Sequence, residues 1–320
     1  MSLTLLGPQR RASAARTAVA ELIPYGQVAA VNAGWLERES DTGELDDVLG
    51  GRLVNLELYR RYWELREADP GLDRGEWWLT ERLDELRTAY RLRLHPALAA
   101  VGAVRQQVRD EQVRADAEED GVAAVRALDA WHLARSEEAR QQWADELAVG
   151  ERASVLRHRQ EVAGLLSDSA GLVVAGGHVG VLVHLLRLFG VADLVTELVT
   201  RPLITWSAGA MALSEQVVLF HDHPTFGERP PEVYAVGLGA YPGVIPFAHA
   251  RRRLRLDDRD HVALLVRRLL PRTAVLLADG ARVDLRPGAP LAEQVPRLST
   301  SGVVVTGAAP TGADRGGEER

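Results

Sequence analysis

The sequence predicts an α/β fold, a mostly parallel, doubly wound sheet interrupted by a helical insertion. Three observations lead there. Short apolar, β-branched runs alternate with helical patterns near both ends of the chain, as right-handed βαβ units require. A long central stretch instead has helical spacing, dense Arg/Glu pairing and few β-branched residues. At 320 residues, 46% hydrophobic and 26% charged, the chain can bury the large core that such a sheet needs.

The predicted strands are LTLL at 3–6, QVAAVNAG at 27–34, LVNLELY at 53–59, LVVAGG at 172–177 and LITWS at 203–207. The helical pattern ASAARTAVAELI separates the first two, and VLVHLLRLFG separates the last two. Residues 60–166 read as the insertion, charged outside and apolar along one stripe. Pro96 fits the first turn of one of its helices, and Gly150 fits a break between two. The α/β domain is therefore expected in two pieces, 1–59 and 167–305. Within the second piece, HVALLVRRLL reads as a helix and TAVLLADGARVDL as two strands around an Asp-Gly turn. The polar, Gly-rich tail from 306 is expected to be disordered.

Composition removes whole classes of function. The net charge of -7 gives no electrostatic reason to expect nucleic acid. All 38 basic residues are arginine, the bias of a GC-rich bacterial genome, so arginine clusters here say little about anion sites. Without cysteine there is no disulfide, no thiolate metal site and no cysteine nucleophile. The apolar stretch 171–192 has the length of a membrane span, but His178, His184, Arg187 and a Gly-Gly pair divide it into strand, loop and helix. No membrane partner is expected. The opening residues have too short an apolar run for a secretory signal, so a cytoplasmic location is expected.

In an open parallel sheet, ligands bind beyond the carboxyl ends of the strands. Those ends are GPQR (7–10), NAGWLERE (32–39), GGH (176–178) and WSAGA (206–210). The last is the most specific, because a strand that ends in Ser207 and turns at once into a helix has the form of a nucleophile elbow. Such a corner needs small neighbours; Gly209 satisfies the position two residues on, and Thr205 stands two residues before. The N–H of Ala208 and the Gly176-Gly177 strand end supply candidate donors for an oxyanion. A serine hydroxyl also needs a base, and the base an orienting acid. Downstream, HDHP at 221–224 offers Asp222, and VGLGAYPGVIPFAHARRR at 236–253 offers His249. Ser, Asp, His is a chain order that α/β enzymes use.

Other polar residues carry competing readings. His178, Trp206, Trp35 and Glu37 stand at strand ends and are candidate substrate contacts. His178 has an equal claim to a loop hydrogen bond, and His184, in an apolar helix, reads as a core histidine. Arg251, Arg252 and Arg253 suit a substrate carboxylate, although a solvated face is the commoner fate in so arginine-rich a chain. His221, Asp222 and His223 invite a metal reading, but successive residues of an extended segment point to opposite faces. No metal and no cofactor are expected.

The series Gly-Gly-x, W-S-A-G-A, Asp-x-Pro and G-L-G-x-x-P-G-x-x-x-x-x-H resembles the dipeptidase E and cyanophycinase family of serine peptidases. The resemblance runs along about 171–285, more loosely over the opening strands, and leaves 60–166 outside it. It implies a class I glutamine amidotransferase-like fold with serine in place of the amidotransferase cysteine. Ser207 matches the nucleophile, His249 the base, Asp222 the acid of the dipeptidase branch, and Gly176 and Gly177 the glycines that shape the oxyanion hole. The chain departs from the family at three places. Thr205-Trp206-Ser207 stands for Gly-Trp-Ser, His178 follows the glycine pair in place of Asn, and Ala248-His249-Ala250 stands for Pro-His-Phe. Glu228, Glu232, Asp257 and Asp258 compete with Asp222 for the acid's role, and the cyanophycinase branch places its acid after the histidine.

The expected function is a serine hydrolase acting on a small, by the resemblance acidic, peptide or amide. The alternatives are a catalytically inactive amidotransferase-like protein that binds a small ligand or partner at the same mouth, and a scaffold that works through its helices. The insertion is expected to close over the mouth as a lid or to form a homodimer interface, burying Trp63, Trp131 and Trp143.

Overall fold

Strands that carry apolar side chains on both faces have to be covered on both faces. In the computed structural model, which describes residues 3–9, 14–193, 201–221, 229–286 and 288–306, five such strands lie side by side. They are β1 (Leu3–Leu6), β2 (Val28–Val31), β3 (Leu53–Asn55), β4 (Gly171–Val174) and β5 (Leu203–Trp206). All five are parallel, in the order β1-β5-β4-β2-β3. The protein is thus mixed α/β with a parallel-rich sheet.

The period of two along these strands sorts their side chains into two cores. Val28, Ala30, Val173, Ile204 and Trp206 face α1 (Ala14–Leu22) and α2 (Gly43–Val48). Ala29, Val31, Leu172, Val174 and Leu203 face the opposite way, into a larger core. That core is covered by α3 (Leu58–Ala68), α4 (Pro70–Gln107), α5 (Glu111–Glu146), α6 (Ala153–Ser167) and α7 (Val179–Leu188). Leu58, Leu65, Leu72 and Leu79 join the same cluster as Ala29 and Val31, so the helical layer shares its core with the sheet.

The third predicted strand is shorter than expected. It stops at Asn55, and α3 begins at Leu58 after Glu57 takes a left-handed conformation. The reason is Glu39, a buried carboxylate at the end of the 3-10 turn Ala33–Arg38 that follows β2, which accepts the N–H groups of Tyr59 (2.9 Å) and Arg60 (2.8 Å). It satisfies donors that a helix start leaves open. Burial pushes the Glu39 carboxyl up, against those two N–H bonds.

Pro96 also departs from expectation, lying inside α4 and not at a helix start. The 38-residue α4 runs against the 36-residue α5, and packing along that length outweighs one missing N–H. Tyr90 and His132 stack across the pair, ring centroids 4.3 Å apart. Gly150 does mark a break, in a 3-10 turn between α5 and α6. Of the three tryptophans, Trp143 is buried and Trp131 half-buried, but Trp63 is 41% exposed and packs its edge on Tyr59 and Tyr62.

After β5 come α8 (Ala208–Leu213), the antiparallel pair β6 (Gln216–His221) and β7 (Arg229–Val236), β8 (Val244–Ala248), α9 (Ala250–Arg253) and α10 (Arg259–Leu269). β9 (Thr273–Leu277) runs parallel to β8 in a second sheet with β11 (Arg297–Leu298) and β12 (Val304–Val305). β10 (Arg282–Leu285) pairs antiparallel with β1. The two strands around the Asp279-Gly280 turn therefore do not form a hairpin, because the chain crosses there from one sheet to the other. Of the predicted tail 306–320, residues 307–320 lie outside the described residues. Among the described residues, no helix is long and apolar enough to cross a membrane.

One buried charge network joins the helical layer to α10 and to the antiparallel β6–β7 pair. Arg268 of α10 donates to both Asp129 oxygens at 2.5 Å, to the Tyr90 hydroxyl at 2.6 Å and to the Pro231 carbonyl at 2.5 Å. Tyr90 in turn donates to Asp129 (2.7 Å) and accepts the Val233 N–H (3.1 Å). Beside it, Arg87 and Arg91 grip Glu232. Burial pushes the Glu232 carboxyl up, but Arg91 and Arg87 outweigh it and hold the group below its usual value.

Asp129→Asn leaves Arg268 charged and buried, since both side chains are almost wholly inside. The expected loss is about 3–5 kcal/mol of unfolding free energy, read by urea denaturation. A loss below about 1 kcal/mol would show that solvent already screens this pair.

Candidate active site

A strand that turns straight into a helix has no residues to spare for a loop, so its corner residue takes the strain. At Ser207 the backbone sits at φ 50°, ψ −120°, left-handed for a residue with a Cβ. It is one of five non-glycine residues with positive φ among those described, and His249 is another (φ 61°). Both sequence-nominated residues occupy strained corners.

The Ser207 corner is pinned on each side. Its N–H donates to the Leu6 carbonyl at the end of β1 (3.3 Å), and its carbonyl accepts the Met211 N–H (3.2 Å). Gly209 follows because nothing larger fits. A Cβ there would stand 2.5 Å from the Val174 carbonyl oxygen and 2.7 Å from those of Ala175 and the Thr205 hydroxyl. Thr205 explains its own departure from glycine. Its buried hydroxyl donates to the Val174 carbonyl on β4 (3.0 Å), so the larger side chain tucks under the turn.

The Gly176-Gly177 strand end lies against this corner. A Cβ on Gly176 would come within 2.9 Å of the Ser207 Cβ. Gly177 has φ 123° and packs on the backbone of Gly34, whose carbonyl accepts the His178 N–H (2.7 Å). The Ala208 N–H opens α8, where helix geometry provides no intrahelical acceptor.

His249 follows β8 and donates its backbone N–H to the Leu277 carbonyl at the end of β9 (3.3 Å). Gly7, next to the Leu6 that holds Ser207, packs on the Ala278 carbonyl and donates to the Ala281 carbonyl (2.9 Å). The carboxyl ends of β1, β5, β8 and β9 therefore meet, and the two corners share that edge of the fold. His249 also lines a cavity of about 200 Å³ with Arg251, Arg252, Ala278 and Asp279. Arg252 pairs at 3.5 Å with Asp279, and the three arginines 251–253 are exposed.

The remaining candidates divide. Asp222, His223 and Glu228 lie outside the described residues, as does the His221 side chain. Glu232 is occupied by Arg87 and Arg91, and Asp258 caps α10 by accepting the His261 N–H (3.0 Å). Asp257 is exposed. His178 is exposed and caps α7, its Nδ1 accepting from Val181 N–H (3.2 Å). Trp206 is buried in the core beneath α1 and α2, with half-buried Trp35 packed on the same cluster. Glu37 is exposed and accepts the Tyr59 hydroxyl (2.9 Å). His184 is no simple core histidine, since its Nε2 meets the buried Glu76 carboxylate at 3.1 Å. Among the described residues, no group of three or more His, Asp or Glu could hold a metal ion.

No protein-family model matches the chain, and no curated protein sequence matches it. Among solved structures it is similar to a crystal structure of a peptidase from an acI-B1 actinobacterium. The identity is 15%, over 96% of this chain and 95% of that one, with a TM-score of 0.39. A likeness at that level assigns no residue a role.

Gly209→Ala is expected to cost about 1–3 kcal/mol through overpacking and to displace the Ser207 corner. Gly43→Ala, where an added Cβ meets nothing within 4 Å, serves as the control and should lie within about 0.5 kcal/mol of wild type. Equal thermal midpoints for the two variants would contradict the close packing described at the corner.

Proposed function

We propose that the protein is a serine hydrolase of the dipeptidase E type, cleaving a small peptide or amide at Ser207. The observation that carries this reading is the Ser207 backbone. A hydroxyl held at φ 50° between a strand and a helix, beside a Gly-Gly strand end, is a costly arrangement for a mere turn. In this reading His249 takes the Ser207 proton as the hydroxyl attacks the scissile carbonyl, then returns it to the leaving amine. Asp222 orients the imidazole and stabilises its charged form. The N–H groups of Ala208 and Gly177 receive the oxyanion.

The same reading assigns the sheet to an amidotransferase-like α/β domain, 1–59 with 167–305, and makes 60–166 its insertion. The enzyme would be cytoplasmic and need no cofactor. Glu39 supports an insertion that reaches the strand ends, because its carboxylate holds the start of α3 while its carbonyl accepts the Asn32 side chain just beyond β2. A layer held there can restrict the mouth to short substrates as a lid, with a homodimer contact as the other role for its exposed face.

A fluorophosphonate probe is expected to label Ser207 in the wild-type protein and to leave Ser207→Ala unlabelled, with no change in thermal midpoint. Labelling of several serines, or of none, removes the hydrolase reading. Asp222→Asn should fold normally and lower the rate by about 10⁴. A small effect there with a large one at Asp257→Asn would move the acid to the later position.

A further inference from the structure

Gly177 can donate to an oxyanion only if its N–H is both unspent and correctly turned. Among the described residues, neither the Gly176 nor the Gly177 N–H donates to any acceptor. The strand end itself is fixed at the corner. A Cβ on Gly176 would stand 2.9 Å from the Ser207 Cβ and 3.5 Å from the Ala208 nitrogen. The group that turns the next peptide lies on neither β4 nor β5.

That group is Gly34, in the 3-10 turn Ala33–Arg38 after β2. Its carbonyl accepts the His178 N–H at 2.7 Å. A Cβ on Gly177 would fall 2.2 Å from the same carbonyl oxygen, and Gly177 sits at φ 123°, where glycine is favoured. Conversely, a Cβ on Gly34 would stand 2.9 Å from both the Gly176 carbonyl oxygen and the His178 nitrogen. Gly34 therefore touches the peptide groups on both sides of Gly177. The first of these carries the Gly177 N–H. In a planar trans peptide the N–H and the C=O point opposite ways, so whatever holds the Gly176 carbonyl also aims the Gly177 N–H.

The turn is braced in its own right. Asn32, wholly buried, donates its side-chain N–H to the Glu39 carbonyl at 2.7 Å and so closes the segment end to end. Asn55 donates to the same carbonyl at 3.2 Å, and the Glu39 carboxylate holds the start of α3. Within the turn Leu36 takes φ 59°, ψ −128°, a left-handed backbone for a bulky residue. Strain of that kind persists only where the surroundings over-determine it.

We propose that Gly34 is a positioning residue for the Gly177 oxyanion donor, with the Asn32 side chain holding its turn in place. Gly34 touches no reacting atom and acts through the Gly176–Gly177 peptide. Through Glu39, the helical layer bears on the same donor. This inference rests on the hydrolase reading and adds to it the origin of the donor's aim.

The test follows labelling of Ser207 by the fluorophosphonate probe in the full-length protein, over a range of probe concentrations. That separates the maximal labelling rate from the half-saturating concentration, and the probe's phosphoryl oxygen occupies the oxyanion position. Gly34→Ala should lower the maximal rate about 10²-fold and leave half-saturation within about 2-fold of wild type. Asn32→Ser, too short to reach the Glu39 carbonyl, should lower the maximal rate about 10-fold. It decides the matter if Gly34→Ala fails to fold, because the Glu39 carbonyl keeps its Asn55 donor. A wild-type maximal rate in the folded variants, or a loss confined to half-saturation, overturns the positioning role. Labelling of the wild-type protein at Ser207 leaves the hydrolase reading standing whatever the variants do. A wild-type protein that does not label fails that reading and the positioning role together.

Discussion

The Ser207 corner exists because backbones around it approach to direct contact. A left-handed serine costs on the order of 1–3 kcal/mol, and only the surrounding fold can hold it there. β5 is trapped between β1 and β4, the Leu6 carbonyl takes the Ser207 N–H, and α8 starts at the next residue. Each contact relies on a missing side chain, with Gly209 over β4 and Gly177 on Gly34 the clearest cases. Thr205 shows how much latitude remains, since its hydroxyl finds the Val174 carbonyl and so a non-glycine residue fits beneath the turn.

The helical layer answers a different need. A parallel sheet is apolar on both faces, and α1 and α2 are enough for only one of them. The other face is closed by α3 to α7 acting as one unit, with leucines of α3 and α4 in the same core as β2 and β4. Polar groups then lock the layer in place. Glu39 joins the turn after β2 to α3, and Asp129 with Arg268 joins α5 to α10. The layer is therefore part of the sheet's own stability.

Much of this was legible in the sequence because it is local. Four of the five core strands and the helices α1, α7 and α10 follow from periodicity and from Gly and Pro placement. The Ser207 corner could be read because a strand, a hydroxyl and a small-residue helix are consecutive. The misreadings have non-local causes. Pro96 signals a helix start only if its neighbours do not pack over its full length, and α5 does. The Asp279-Gly280 turn signals a hairpin only if the two strands share a sheet, and β10 finds β1. Trp206, placed at a strand end by the sequence, faces the opposite core because alternation along β5 turns it there.

The sequence by itself determined the strand set, the helical character of 60–166, and Ser207 and His249 as the residues to watch. Each depends on interactions within a few residues, which a linear pattern records. Tertiary structure alone decided that the Ser207 corner rests on the end of β1 and the His249 corner on the end of β9, that Glu232 belongs to Arg87 and Arg91, and that Asp129 belongs to Arg268. Those outcomes join residues scores of positions apart. They are set by which backbone carbonyls and which charges arrive at the same point once the sheet and its helical cover are packed, and no spacing along the chain encodes that.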